Sequence, residues 1–501
     1  MDNENQLIHA RKEKLGRLLE MGANPFPTKA ERTHKIREIF DDPESFIDNK
    51  TTLDVVGRIR SLRKMGKASF CHVEDETGKI QIYIKRDDIG QEKYKIFKQC
   101  DLGDFVHVKG FVFYTQTNEL SIHAEEFTFL AKAIRPLPVV KEKIENGKKI
   151  VYDQFADKEL RYRKRYLDLL LNPEVKETFK TRSKIIKMMR EFLDARGYIE
   201  VETPILQPLY GGAAAQPFIT KHKKLDMELY LRIADELYLK RLIIGGFEKV
   251  YEVCKDFRNE GMDRTHNPEF TQIELYEAYA DYNDIMDLVE DMLTGIAQEV
   301  CGTLKIKYDA HTINLTKPWQ RKPMLELIKE YAGIDVENSN MDELLAFCEE
   351  HEIELDVKSF GKIIDEIFKR FVENNLIQPT FVIDYPKEIS PLAKSKPENP
   401  QLVERFEIFI GGLELGNCFS ELNDPIDQRE RLESQAKQRE LGDVEANEID
   451  EDFLEAMEYG MPPTGGLGLG IDRIVMLFTN SHNIKDVILF PQMRPESHDE
   501  L

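Results

Sequence analysis

The chain's 501 residues are 41% hydrophobic and 32% charged, enough to bury the cores of two or three domains beneath a well-charged surface. A net charge of −22 argues against a histone-like nucleic-acid binder, and no apolar run approaches the ~20 residues of a membrane span. The opening MDNENQLIHARKEKLGRLLE has no signal-peptide core, so the cytoplasm is expected. Six scattered cysteines without a C-x-x-C pair predict neither a disulfide framework nor a zinc site of paired cysteines.

Residues 1–50 read as an N-terminal helical extension. Leu7, Leu15, Leu18 and Leu19 give an amphipathic helix over 7–22, stopped at Gly22 and followed by Pro25 and Pro27. Residues 51–135 are β-rich, with short runs at LDVVGRIR, ASFCHVED, IQIYIK, DFVHVKGFVF and LSIHAEEFTF. A turn at Asp75-Glu76-Thr77-Gly78 joins the second run to the third, and a helical stretch near 89–100 follows the third. That is the layout of an OB-fold barrel, a fold that often takes single-stranded nucleic acid. Alternation sends Ile80, Ile82 and Ile84 inward and Gln81 outward, with Phe70 and His72 sharing a face on the preceding strand. Residues 58–67 carry five basic groups and no acid beside that face. Phe70 and Gln81 are therefore candidates for base stacking and edge readout, against the plainer reading of Phe70 as barrel core.

Residues 136–170, with a polar ENGKK turn, read as a linker ending in the basic helix start RYRKRYLDLL. A catalytic-type α/β region is expected over 171–501. It begins with a helix at about 175–196, a stop at Arg196-Gly197 and the strand YIEVETPIL broken by Pro204. The small-residue loop YGGAAAQPF lets backbone approach a ligand at Gly212, and Glu236 opens the helix that follows. The stretch 250–281 reads as two strands joined by a long polar loop. Period two puts Arg258, Phe270, Glu274 and Tyr276 on one surface, and the loop adds Glu260, His266 and Asn267. Alone, that could be a solvated hairpin with a charged tip.

A periodic helix fills 283–300, and 317–378 reads as a helix-rich, mostly polar insertion. In RFEIFIGGLELGNCFSELND, Glu407, Glu414 and Glu421 recur at sevens, and Asn417, Phe419 and Glu421 share a face. Carboxylates among apolar strand residues are costly unless they meet cations, either an ammonium or Mg²⁺ shared with nucleotide phosphates. Residues 443–458 carry eight acids and no base. PPTGGLGLGIDRIVMLF fits neither G-x-G-x-x-G nor a P-loop; it reads as a glycine-rich strand running into a helix with Arg473 in its first turn.

Phe257-Arg258-Asn259-Glu260 followed by His266-Asn267-Pro268-Glu269-Phe270 closely resembles the second signature motif of the class II aminoacyl-tRNA synthetases. EFTQIELYEAYADY is similar to their lysyl branch. The helix–Gly–strand–Pro unit resembles the first motif and 462–478 the third. Over nearly its whole length the chain resembles the bacterial-type class II lysyl-tRNA synthetases. The resemblance implies an α+β protein, with an OB-fold β-barrel followed by a catalytic domain on a six- to seven-stranded antiparallel sheet with a helical insertion. It also implies a homodimer and an ATP-dependent ligase that makes lysyl-adenylate from L-lysine and then charges tRNA(Lys), with Mg²⁺ as cofactor.

The roles implied are these. Arg258 bridges the lysine carboxylate and the α-phosphate, and Phe270 stacks under adenine. Glu260 and Asn267 contact the nucleotide, and His266 and Arg473 hold the outer phosphates. Glu407 and Glu414 bind Mg²⁺. Gly212 and Glu236 take the α-amino group, while Glu274, Tyr276, Asn417, Phe419 and Glu421 form the lysine pocket. Phe70 and Gln81 read the anticodon. Three positions depart from the family's pattern: Asp235 where Pro is usual, Gln216 where Arg is common and Cys418 where a smaller residue is usual. Two rivals are a paralogue that attaches lysine to a protein and a non-catalytic relic. The basic barrel argues against the first, and the intact Arg258, Glu407, Glu414 and Arg473 set against the second.

Overall fold

A computed structural model describes residues 2–138, 141–145, 148–152, 155–355, 358–440 and 449–496. The chain forms two compact units, Met1–Ala156 and Asp157–Leu501.

In the first unit the helix Asp2–Glu20 ends in a Schellman motif. Gly22 takes φ +74°, its amide bonds Leu19 O at 2.9 Å and the Ala23 amide bonds Leu18 O at 3.0 Å. Leu18 joins the barrel core, and Arg11 donates to the carbonyls of Leu102, Ala133 and Arg135, so the helix is fixed to the barrel. The barrel closes in the order Thr52–Lys64, Ala68–Glu74, Lys79–Lys85, Leu120–Ala131, Phe105–Tyr114 and back to the first strand. Closure removes every sheet edge. Asp75 makes the expected turn by accepting from the amides of Thr77 and Gly78, and Ile80, Ile82 and Ile84 are buried as alternation requires. The stretch read as a linker carries two paired strands, Lys141–Glu145 with Lys148–Tyr152; of the expected ENGKK turn, Asn146 and Gly147 lie outside the described residues. So do residues 443–448 of the acidic run.

The second unit is built on an eight-stranded sheet, not the six- or seven-stranded one expected. In order across it stand Gln320–Pro323, Thr380–Pro386, Leu402–Ile410, Leu413–Ser420, Thr464–Gly470, Glu269–Ala278, Lys249–Phe257 and Ile199–Glu200. The inner strands are antiparallel and each edge strand is parallel to its neighbour. The expected strand over YIEVETPIL joins this sheet only at Ile199–Glu200, because beyond it the Thr203 amide bonds the Glu252 side chain and Pro204 has no N–H to offer; its last residue, Leu206, pairs with Leu231 in a separate small sheet. The region read as an insertion contributes the other edge strand before its helices begin. Its helix Phe360–Phe371 buries Ile363, Ile364, Ile367 and Phe368, an apolar face that the polar average concealed.

The helices Pro173–Asp194, Tyr282–Cys301 and Ile471–Thr479 cover one face of the sheet. Ile185, Met189, Val289, Met292, Ile474 and Leu477 pack there on Ile273, Leu275, Ile408, Leu467 and Leu469. Each such fully buried side chain contributes about 1.5–3 kcal/mol relative to exposure. With that face closed, the alternate side chains of the same strands project to the other, where the polar groups gather. Among the described residues no helix is long and apolar enough to cross a membrane.

Candidate active site

On the open face, every residue expected above for nucleotide, metal and lysine lines one cavity of about 370 Å³. Strand register explains the convergence. Glu274 lies opposite Gly468 and Tyr276 opposite Gly466 on one side of the glycine-rich strand, and Asn417 and Phe419 lie opposite the same glycines on the other. Those glycines are the cavity floor. A Cβ on Gly466 would strike the Glu421 carboxylate and come within 2.5 Å of the Tyr276 ring. Gly465 instead admits the helix Tyr282–Cys301, since a Cβ there would meet Ile285 at 2.7 Å. Leu467 and Leu469 alternate into the core. Cys418 does the same, opposite Leu467, so it packs away from the cavity, while Gln216 is exposed outside it.

At one end the cavity is cationic. The Arg258 guanidinium sits 5.2 Å from the Phe270 ring centroid, and its Nε has no partner among the described residues. Arg473 donates from Nη1 to the Glu414 carbonyl at 2.7 Å and its carboxylate at 3.1 Å, and from Nη2 to His266 Nε2 at 3.0 Å. Asp263 accepts from His266 Nδ1 at 2.8 Å, which leaves Nε2 as the acceptor. Asp472 fixes the start of the helix that carries Arg473, accepting from the Thr271 amide at 2.8 Å and from Arg182 at 2.5 Å. Asn267 is buried with Oδ1 unpartnered among the described residues, and Glu260 is exposed on the loop.

Glu407 accepts from Tyr385 at 2.8 Å and Arg405 at 2.6 Å. Burial pushes its pKa up to about 7 against the pull of Arg405, and the Glu414 charge adds to the rise. Burial works the same way on Glu414, but Arg473, then Arg258 and Arg405, hold it below the ordinary carboxylate range. Two hard oxygen donors whose charges oppose one another are a donor set suited to a divalent cation.

At the other end the cavity is acidic. Gly212 takes φ +89°, a conformation open to glycine, and a Cβ there would press on Glu236 Cβ at 3.1 Å. Glu274 accepts from Gln272 at 2.7 Å and from the Tyr276 hydroxyl at 3.2 Å. Asn417 Oδ1 accepts from Arg405 at 3.0 Å, and the same guanidinium lies 5.6 Å from the Phe419 ring. Glu236 and Glu421 share one cation, the fully buried Lys240 ammonium, at 2.5 Å from each. Burial raises Glu421 to about 8 against the pull of Lys240, with Glu236 adding to the rise.

Lys240, Gln272 and Arg405 were not singled out in the sequence. Lys240 stands four residues after Glu236 on one helix, and Gln272 and Arg405 each stand two residues from a chosen glutamate on one strand. Those spacings were visible signals.

In the first unit Phe70 is half-buried on the outer barrel face, its ring 5.1 Å from Tyr83, which also meets His123 and Phe113. Gln81 donates to Glu119 at 2.7 Å, and His72 meets the same carboxylate. Of the nearby basic run, Arg58 lies over Phe105 and Arg60 pairs with Glu74, while Arg63 and Lys67 are exposed. In the second unit, the basic helix start RYRKRYLDLL is partly committed: Arg165 is buried and bonded to Asp168 and the Leu489 carbonyl.

Residues 157–494 match the family described as tRNA synthetases class II (D, K and N), and residues 54–130 match the OB-fold nucleic acid binding domain. Fold and cavity are those of a class II tRNA synthetase. Lysine–tRNA ligases from Carboxydothermus hydrogenoformans and Pelotomaculum thermopropionicum are each 53% identical to the chain, over 98% of it and 98% and 95% of their own lengths. One from Clostridium tetani is 54% identical over 98% of the chain and 96% of its own length. The chain belongs to the lysine–tRNA ligase family.

Proposed function

We propose that the chain activates L-lysine with ATP to lysyl-adenylate and pyrophosphate and then transfers lysine to the 3′ end of tRNA(Lys). The observation that carries this reading is a single cavity with arginines and an aromatic plate at one end and an excess of carboxylates at the other. A zwitterion with a second ammonium, placed against a nucleotide triphosphate, matches both ends.

Arg258 lies where the lysine carboxylate and α-phosphate meet and neutralises both as the carboxylate attacks. Phe270 stacks under adenine, with Glu260 and Asn267 on the nucleotide. Arg473 and His266 hold the outer phosphates of the leaving pyrophosphate. Glu407 and Glu414 would hold Mg²⁺, which when bound supplies positive charge to the phosphates. Gly212 and Glu236 receive the α-amino group; Asn417 and Phe419 wall the aliphatic stem, and Glu274, Tyr276 and Glu421 face the ε-ammonium. The substrate is itself the nucleophile, so catalysis is in-line positioning and charge neutralisation. The reading implies a homodimer working in the cytoplasm.

Phe70 and Gln81 on the barrel are read as anticodon contacts. Phe70→Ala should weaken tRNA charging by roughly 1–3 kcal/mol of lost stacking. Lysine-dependent ATP–pyrophosphate exchange should be unchanged, because adenylate chemistry belongs to the other unit. Exchange falling in parallel with charging would mark Phe70 as a structural residue. The function itself is tested by charging: labelled lysine should become acid-precipitable on tRNA(Lys) and not on the protein. Label appearing on a protein instead would favour the paralogue reading.

A further inference from the structure

Behind the acidic end of the cavity lies a second layer of acids. Asp235, one residue before the helix Glu236–Ile244, is fully buried, and among the described residues neither carboxylate oxygen has a donor. Its carboxyl meets that of Glu274, acceptor against acceptor. The cations around it are committed elsewhere. Arg232 holds Glu252 at 2.7 Å and Asp256 at 3.1 Å, and Lys240 holds Glu236 and Glu421. The Cys254 thiol points to Asp256 at 3.7 Å and to the Gln272 carbonyl at 3.6 Å. Two buried carboxyls in contact cannot both stay ionised, so a positive charge must lie between them.

We propose that Asp235 is a positioning residue for lysine recognition: it shares one proton with Glu274, and the arriving ε-ammonium displaces that proton to solvent. This rests on the reading of the cavity as a lysine site. The step balances: one carboxyl O–H bond breaks, the proton passes to buffer, and an ammonium N–H takes up the freed Glu274 oxygen. Burial, with Asp256 adding, pushes Asp235 up to about 7, and burial with Asp235 and Asp256 pushes Glu274 well above its ordinary range. Binding lowers these raised values. Affinity for lysine is therefore full above them and falls as pH drops through them, towards roughly tenfold per pH unit for one whole proton. Asp235, Cys254 and Asp256 also bring possible metal ligands within 4.8 Å of one another, but a cation there would compete with Arg232 for Asp256.

Calorimetric titration of lysine into the full-length protein near pH ~6.5, in buffers of different ionisation enthalpy, counts the protons. Glu421, raised to about 8, titrates in both proteins, so the wild type should release about one proton more per lysine bound than the isosteric Asp235→Asn. The pH dependence of the variant's lysine Kd should be shallower than the wild type's, towards ~10-fold less per pH unit. Lysine binding without proton release in the wild type, or equal release in the variant, overturns the inference alone. Even if the variant misfolds, absence of proton release from the wild type still overturns the inference. Absence of lysine binding overturns the ligase reading and this inference with it. A stoichiometric metal in the purified protein, lost in Cys254→Ser, also overturns it by assigning the charge to a cation.

Discussion

Glu414→Gln is expected to reduce lysine-dependent ATP–pyrophosphate exchange by at least ~100-fold while leaving the thermal unfolding midpoint nearly unchanged. The fold should survive because the Glu414 backbone carbonyl, not only its carboxylate, anchors Arg473 at 2.7 Å, and an amide oxygen can still accept from the guanidinium. What the amide cannot do is balance a divalent cation beside Glu407. The loss should therefore shrink as Mg²⁺ is raised. Near-normal exchange at ordinary Mg²⁺ would remove Glu414 from the metal site.

Glu421→Gln should raise the lysine KM and lower kcat/KM for lysine by at least ~100-fold, on the ~2–3 kcal/mol of a charge-assisted hydrogen bond. The ATP KM should change much less, because the nucleotide end of the cavity keeps its arginines. Glu421 is 1% exposed, so a ligand without an ammonium leaves its carboxylate dehydrated and underpaired and is rejected. Ornithine, a methylene short, should react poorly and norleucine hardly at all. The structure adds a second cost: the variant removes one of the two carboxylates that balance the buried Lys240 ammonium. Exchange kinetics with lysine, ornithine and norleucine on both proteins check this. A variant that keeps the wild-type preference for lysine over norleucine would shift the specificity role to Glu274.

Much of the site could be read from the sequence because it lies on strands. Period-two alternation in 250–281 gave the face carrying Phe270, Glu274 and Tyr276, and the observed register sets Val250 opposite Tyr276 and Asp256 opposite Phe270. Gly411 and Gly412, adjacent glycines joining two strands, both take positive φ, as a tight turn there requires. The same alternation places Cys418 in the core between Asn417 and Phe419, away from the cavity. What could not be read depends on partners far apart in sequence. Lys240 looks like an ordinary helical neighbour of Glu236 until the fold delivers Glu421 to its other side. Asp235 looks like a helix-start residue until the sheet sets Glu274 and Asp256 against it. The edge strand Gln320–Pro323 is short and polar, with no alternation to betray it, and only its neighbour Thr380–Pro386 defines it.

The central claim is that the acidic end of the cavity selects lysine for adenylation. Isotopic ATP–pyrophosphate exchange run separately with each of the twenty protein amino acids tests it most directly. Lysine should drive exchange, with every other amino acid, arginine included, near background; exchange driven by a different amino acid, or none with lysine, would contradict it.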